Sequence, residues 1–283
     1  MADAPYFSQL MMPKMNAKDK ETVTLSLLVD SRDRDYAKYP SPSSYAVLLP
    51  QKFLNVRAAM LVSVEMPATF YVFTAARANT SLRVGVDGVY KTVIIPDGNY
   101  TMTSMALALK TALETAFSGP TFTVTFSDTT LHCTLLVSTG GVVAVDTTTT
   151  NAAQTGWGLG YYLGFLKNTV ATSSGSVTGP RVANMNPEQY VILDIDELNE
   201  VREMGLYGSG ESRKAFAKVQ IPVNSFEVVV YETKTLLNRN EKLPPIQKLD
   251  MLHVNFRFHD GTPVDFGFQE HSFEIQLECT LVR

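Results

Sequence analysis

HSFEIQLECTLV, residues 271–282, alternates without a break. Phe273, Ile275, Leu277, Cys279 and Leu281 fall on one side, and Glu274, Gln276, Glu278 and Thr280 on the other. A period of two is that of a β-strand, whose side chains point alternately to opposite faces. One dry face and one wet face mean an antiparallel sheet, because parallel sheets buried on both sides read as continuous apolar runs. The same reading recurs near the start. ETVTLSLLVDSR (21–32) aligns Val23, Leu25, Leu27 and Val29, SSYAVLLP (43–50) aligns Tyr45, Val47 and Leu49, and AAMLVSVEMP (58–67) continues until Pro67 closes it. Late in the chain YVILDIDEL (190–198), KAFAKVQIPV (214–223), SFEVVVYET (225–233) and LDMLHVNFRF (249–258) read as further strands.

The middle differs. SLRVGVDGVYKTVIIPDGNY (81–100) predicts a hairpin turning at Asp87-Gly88. A long helix follows, with Thr103 or Ser104 as its cap and Met102, Ala106, Leu109, Leu113 and Ala116 at helical spacing, ended by Gly119-Pro120. FTVTFSDTTLHCTLLVS predicts a second hairpin turning near Asp128-Thr129, and GGVVAVD a short strand. One short helix is expected before Leu163-Gly164-Phe165, and NTVATSSGSVTGPRVANMN then has the composition of a linker.

About three strands in the first flank are too few to bury a face alone, but with about five from the last they make eight, the count of a jelly roll. The expected fold is therefore mainly β: an antiparallel jelly-roll β-sandwich with an inserted small α+β domain. The sandwich is drawn from residues 21–74 plus 181–283, the hairpin-helix-hairpin insert from 75–180, and residues 1–20, Met-rich and without a period, are expected to be a flexible N-terminal arm that orders on a partner.

Composition narrows the function. The chain has 283 residues, a net charge of −4 and 18% charged residues. That balance argues against a direct nucleic-acid binder, which shows a basic patch or stripe. No apolar run is long enough for a transmembrane helix. The N-terminus lacks the pattern of a secretory signal, and Ala2 excludes N-myristoylation. Cys133 and Cys279 sit inside strand-like runs without CxxC spacing and are expected to be reduced core thiols.

Candidate chemistry is thin. His253, His259 and His271 with Asp260 and Glu270 hold the residue types of a metal site, but a cupin-type site needs two His one residue apart on a strand. His253 is expected to point away from the core, and His259-Asp260-Gly261 reads as a turn. Asp194 and Asp196, two apart and expected on one strand face, with Glu197 beside them, could serve acid/base work, but no partner is placed by sequence. There is no GxSxG elbow, and GLYGSGESRK (205–214) lacks the GxxxxGK[ST] pattern of a phosphate loop. The expectation is no enzyme, no cofactor and no metal.

Two clusters remain as structural or contact sites. The first is VDSRDRDYAKYPSPSSYAVLLP (29–50), where Asp30, Arg32, Asp33 and Arg34 precede Tyr39 and Pro40. In an extended segment Asp30, Arg32 and Arg34 would share a side, and any buried arginine would call for a bidentate carboxylate. The stretch is read as a corner between strands, or an inter-subunit contact. The second is the aromatic group Trp157, Tyr161, Tyr162 and Phe165, read as core or as a protein-interaction surface.

The succession of the DSRDRDYAKYPSP corner, IPDGNYTMTSMALALKTALETAF, YYLGF and PPIQKLDMLHVNFRFHDGTPVDFGFQEHSFEIQLE resembles minor capsid and other virion structural proteins of nucleocytoplasmic large DNA viruses, including chlorella virus, iridovirus and mimivirus relatives. The resemblance runs from about Val23 to near the end. It implies a structural minor capsid protein of a large icosahedral double-stranded DNA virus, cementing capsomers or capping the five-fold vertex as a penton. One jelly roll argues against a major capsid role, for which these viruses use two. The implied partners are the major capsid protein and other minor capsid proteins, with a homo-oligomer among the arrangements, in a virion shell assembled in host cytoplasm. The alternative is a cupin-like or carbohydrate-binding jelly roll acting in host attachment or glycan processing.

Overall fold

A computed structural model describes residues 22–148, 158–186, 188–204, 212–221, 228–232 and 239–280. The expected arm, the Trp157 position and most of the 205–214 loop lie outside the described residues. In chain order the elements are β1 (Thr22–Asp30), β2 (Ser44–Pro67), β3 (Ser81–Val86), β4 (Val89–Ile94), α1 (Met102–Ala116), β5 (Phe122–Phe126), β6 (Cys133–Val137) and β7 (Val142–Asp146). Then come α2 (Leu159–Tyr162), β8 (Val170–Ser174), β9 (Ser176–Thr178), β10 (Tyr190–Ile195), β11 (Val201–Met204) and β12 (Ser212–Ala215). The last are β13 (Ala217–Gln220), β14 (Val228–Glu232), β15 (Arg239–Arg257) and β16 (Ser272–Thr280). The fold is mainly β, with curled antiparallel sheets of jelly-roll type.

The largest sheet runs β1-β16-β2-β15-β10-β13, with β14 also paired to β2. β1 and β16 match their apolar positions across the ladder: Val23 faces Cys279, Leu25 faces Leu277, Leu27 faces Ile275 and Val29 faces Phe273. That register is the only kind that keeps both apolar rows on one side, since a one-residue slip turns every side chain over. The two stretches read as separate strands at 43–50 and 58–67 are one strand of 24 residues. β2 and β15 bend together, with register shifts between Glu241 and Ile246, across Pro244-Pro245, and between Leu249 and Met251. Bulges of this kind bend and twist a strand without ending it, so one ribbon curls round the core. The strand β2 thereby pairs with β15 through residues 44–60 and, on its other edge, with β16 through 56–65.

Buried side chains form two clusters. One takes its members from residues 27–70 and 191–279, including Tyr45, Phe53, Val64, Val191, Phe216, Leu252, Phe256, Phe266 and Phe273. The other spans residues 72–185 and gathers Phe73, Leu82, Met105, Leu109, Leu113, Phe122, Cys133, Val143 and Phe165. Around it stand two sheets, β4-β3-β7-β8 and β5-β6-β9, against which α1 packs. The first hairpin turns at Asp87 and Gly88, both at positive φ, the geometry a two-residue turn requires.

Three local expectations are corrected. The cap of α1 is Thr101 rather than Thr103 or Ser104; its hydroxyl accepts from Ser104 N while the Ser104 hydroxyl accepts from Thr101 N, a reciprocal capping box. The segment read as a linker contains β8 and β9, which pair with β7 and β6 respectively. Between them Gly175, at φ +76, lets the chain pass from one sheet to the other. Asp196 is not on the face of Asp194, because β10 ends at Ile195 and a turn begins there.

Two connections cross between the clusters, and the first is tied down heavily. Asn99 accepts from Val72 N and donates to Phe70 O, and Asn79 donates to Val72 O. Arg77, buried, pairs with Glu188 at 2.5 Å and Asp260 at 3.3 Å, and its guanidinium lies 4.4 Å from the Phe258 ring centre. Arg77 lies between β2 and β3, where the chain passes from the first cluster into the second, while Asp260 and Phe258 follow β15, so the contact joins the two cores.

Candidate functional site

The charged corner forms where β1 leaves the sheet. Asp30 accepts from Arg32 N at 2.9 Å and so caps a single 3-10 turn over Ser31–Asp33. The turn corrects the extended reading. In a 3-10 turn successive residues rotate by about 120°, so positions two apart no longer share a side. Arg32 folds back over Asp30 in a solvent-exposed fork, Nε lying 2.9 and 3.0 Å from the two carboxylate oxygens. Arg34 goes the other way, and its side chain is 2% exposed.

Inside, Arg34 donates to Ser31 O (2.7 Å), Tyr39 O (2.9 Å) and Pro40 O (3.3 Å), and it forms an ion pair with Glu270. The Tyr36 ring covers its guanidinium at 4.1 Å. A bidentate carboxylate is therefore not what holds this arginine. Backbone carbonyls of its own loop take most of its donors, and one oxygen of Glu270 supplies the counter-charge. Burial alone would raise the Glu270 pKa, but the bonds from Arg34 and Ser31 outweigh it and hold the carboxyl below its usual range.

The same corner is sewn to the segment that enters β16. Ser31 N donates to His271 O, His271 N donates to Ser31 Oγ, and Ser31 Oγ donates to Glu270 at 2.5 Å. His271 is buried in an aromatic box with ring centres at 4.5 Å (Phe256), 5.2 Å (Phe266) and 5.7 Å (Tyr45). Its Nε2 lies 2.9 Å from the Pro42 carbonyl, an acceptor, so the Nε2–H tautomer donates there. Burial pushes its pKa down to about 4. Asp33 stays exposed on the turn, and Asp35 accepts from Ala37 N to close the next turn.

The other candidates part company. His253 is partly exposed and bonds Glu197 at 2.6 Å through Nδ1, His259 lies edge-on to Tyr190, and His271 is in the core, so the three do not converge. Asp194 takes Arg257 as partner at 2.5 Å while Glu197 takes His253, which leaves the three acids of LDIDEL in separate roles. Among the described residues no group of three or more His, Cys, Asp or Glu is placed to hold a metal ion. Cys133 and Cys279 are buried free thiols, and burial raises the pKa of Cys133 to about 12.

The described members of the aromatic group divide between core and surface. Phe165 is fully buried, and Tyr162 is buried with its ring 4.8 Å from Phe73. Tyr161 is half-buried and stands edge-on to Tyr162 at 5.2 Å. It lines an open groove of about 840 Å³ with Tyr100, Arg181 and Met185. The sequence reading passed over Arg77, and it weighed Glu270 only as a metal-site carboxylate, not as the partner of Arg34. Neither shows a local signal as a partner: each is completed by residues far away in the chain.

A family model described as a family of unknown function (DUF5901) matches residues 15–133, which take in β1 to the start of β6. No curated protein matches the sequence. Among solved structures, the penton protein of mavirus superposes with a TM-score of 0.53 at 8% identity, covering 91% of this chain and 99% of that one. The likeness is one of fold, spanning both clusters of buried residues.

Proposed function

We propose that this chain is a structural subunit of an icosahedral virus capsid, a minor capsid protein of a large double-stranded DNA virus that caps the five-fold vertex. The observation that carries the reading is the overlap of nearly the whole chain with nearly the whole of a viral penton protein. A mainly β fold of jelly-roll type, with a second cluster of buried residues drawn from the middle of the chain, supports the same reading. So does the condition of the charged groups: Arg34, Arg77, Asp194 and Glu197 are each held in an ion pair with a partner of their own rather than gathered in a cleft. The activity proposed is assembly, without a catalytic step.

On this reading residues 75–180 form an inserted α+β unit that projects from the sandwich. The sandwich contacts the major capsid protein, neighbouring minor capsid proteins and its own copies, in a shell assembled in host cytoplasm. The corner carrying Asp30, Arg32, Asp33, Arg34, Tyr39 and Pro40 keeps the sandwich edge in shape for such contacts. Tyr161 and the Trp157 position are proposed as protein-contact aromatics, with Tyr162 packed edge-on behind the first of them and Phe165 in the core. Quantitative mass spectrometry of washed, intact virions tests the reading: a fixed ratio of this chain to the major capsid protein, near that of vertices to capsomers, is expected. Its absence from such particles would sink the proposal.

A further inference from the structure

Among the described residues, one rim of the large sheet carries no further strand. β1 pairs with β16, and β2 over residues 44–48 pairs with β15; among the described residues the second edge of each carries no strand. Between the two edges runs a groove of about 410 Å³, walled by Leu27–Val29 and Val47–Leu49, with Asp33 and Asp35 at its corner end. Leu28 and Leu48 there are 70% and 76% exposed. Unpaired strand edges beside apolar side chains are a template for another strand, and proteins normally cover or charge them.

We propose that this groove receives a strand from the N-terminal segment of a second copy of the chain. The proposal rests on the assembly reading above and deepens it by naming the contact. The segment before β1 contains YFSQLMM, residues 6–12, bounded by Pro5 and Pro13 and followed by Lys14. Seven extended residues span roughly 24 Å, enough to fill the groove and leave each proline at an end, where a missing N–H costs least. Bringing Lys14 to Asp33 and Asp35 runs the strand antiparallel to β2 and parallel to β1. Alternate side chains then meet the leucines, and the main chain completes the ladder, the usual mode of strand addition.

That direction also decides whose segment it is. Within one chain, residues 14–21 would have to return the whole length of β1, from its Asp30 end to Thr22, about 27 Å, with no slack for a turn. A neighbouring copy meets no such limit.

The test uses the full chain. A tagged copy carrying Leu10→Cys and an untagged copy carrying Leu28→Cys are co-expressed and oxidised; both native cysteines are buried. A disulfide joining tagged to untagged chains is expected. In the wild-type oligomer, amides of residues 23–29 and 44–49 should exchange at least about tenfold more slowly than in a chain lacking residues 1–20. A chain carrying both substitutions is oxidised in parallel, and a disulfide formed only within that single chain overturns the exchange. So does a chain that assembles normally with neither disulfide nor protection, and both results leave the assembly reading standing. A chain that remains a monomer and stays out of particles overturns both.

Discussion

A guanidinium taken out of water keeps its charge, so Arg34 must find every partner within its own surroundings. Three carbonyls and Glu270 meet that need. Glu270→Gln keeps the shape and removes the counter-charge, and should lower stability by about 2–3 kcal/mol, read as a shift of the urea midpoint at constant slope. Arg32→Ala, at the exposed end of the same run, should leave the midpoint where it is. Such a contrast between two arginines two residues apart separates a buried pair from surface charge.

His271 makes the corner sensitive to acid. Its imidazole is neutral in its box, while in the unfolded chain it titrates near 6.5. From pH 6.5 down to about 4 the unfolded chain holds a proton that the folded one does not, so stability falls as pH falls through that window. The loss should approach about 3 kcal/mol in all. Glu270 and Asp30 pull towards protonation and Arg34 resists it, but desolvation outweighs them. Further acid then removes the stability held by Glu270 and Asp30, whose carboxyls are kept below their usual ranges. Urea midpoints from pH 7 to 4 measure the slope, and His271→Phe should flatten it above pH 4.5. A slope unchanged in that variant would assign the acid loss to other groups.

At the scale of elements, α1 was legible because its signals are local. The apolar stripe at helical spacing buries Leu109 and Leu113 as expected, with Met105 completing the stripe. The cap moved by two or three residues because three hydroxyls within four positions, Thr101, Thr103 and Ser104, can each serve, and only backbone geometry chooses among them. Thr101→Ala should cost about 1 kcal/mol, measurable by chemical denaturation. The strands β8 and β9 were illegible for a different reason: VATSS and SVT carry no apolar period, and their pairing is imposed by β7 and β6. Gly164, where α2 turns back, is more demanding. It sits at φ +84, and a Cβ there would come 2.1 Å from the Arg181 carbonyl oxygen. Gly164→Ala should therefore destabilise by more than about 2 kcal/mol, or fail to fold, judged by soluble yield and melting temperature.

On the scale of the whole molecule, two cores share one chain and meet at Arg77. If that contact couples them, the wild type should melt in one transition by calorimetry. Arg77→Met, which keeps bulk over Phe258 but frees Glu188 and Asp260, should separate the transitions or lower the single one by several degrees. The open rim at β1 and β2 belongs to this scale too, since an edge is defined only once the neighbouring strands are in place.

Alternation along residues 271–282 and 21–32, a helical stripe at 102–116 and a turn dipeptide at 87–88 are written in neighbours along the chain. They determined that the protein would be mainly antiparallel β with one long helix. Which strand lies beside which was decided by tertiary structure alone. The corner at 30–35 shows why. Its charges are adjacent in sequence, yet the 3-10 turn sends Arg32 to solvent and Arg34 to Glu270, 236 residues further on. Periodicity is a property of neighbours and survives in the bare sequence. The partner of a buried charge comes from wherever the core closes, and burial makes that partner obligatory.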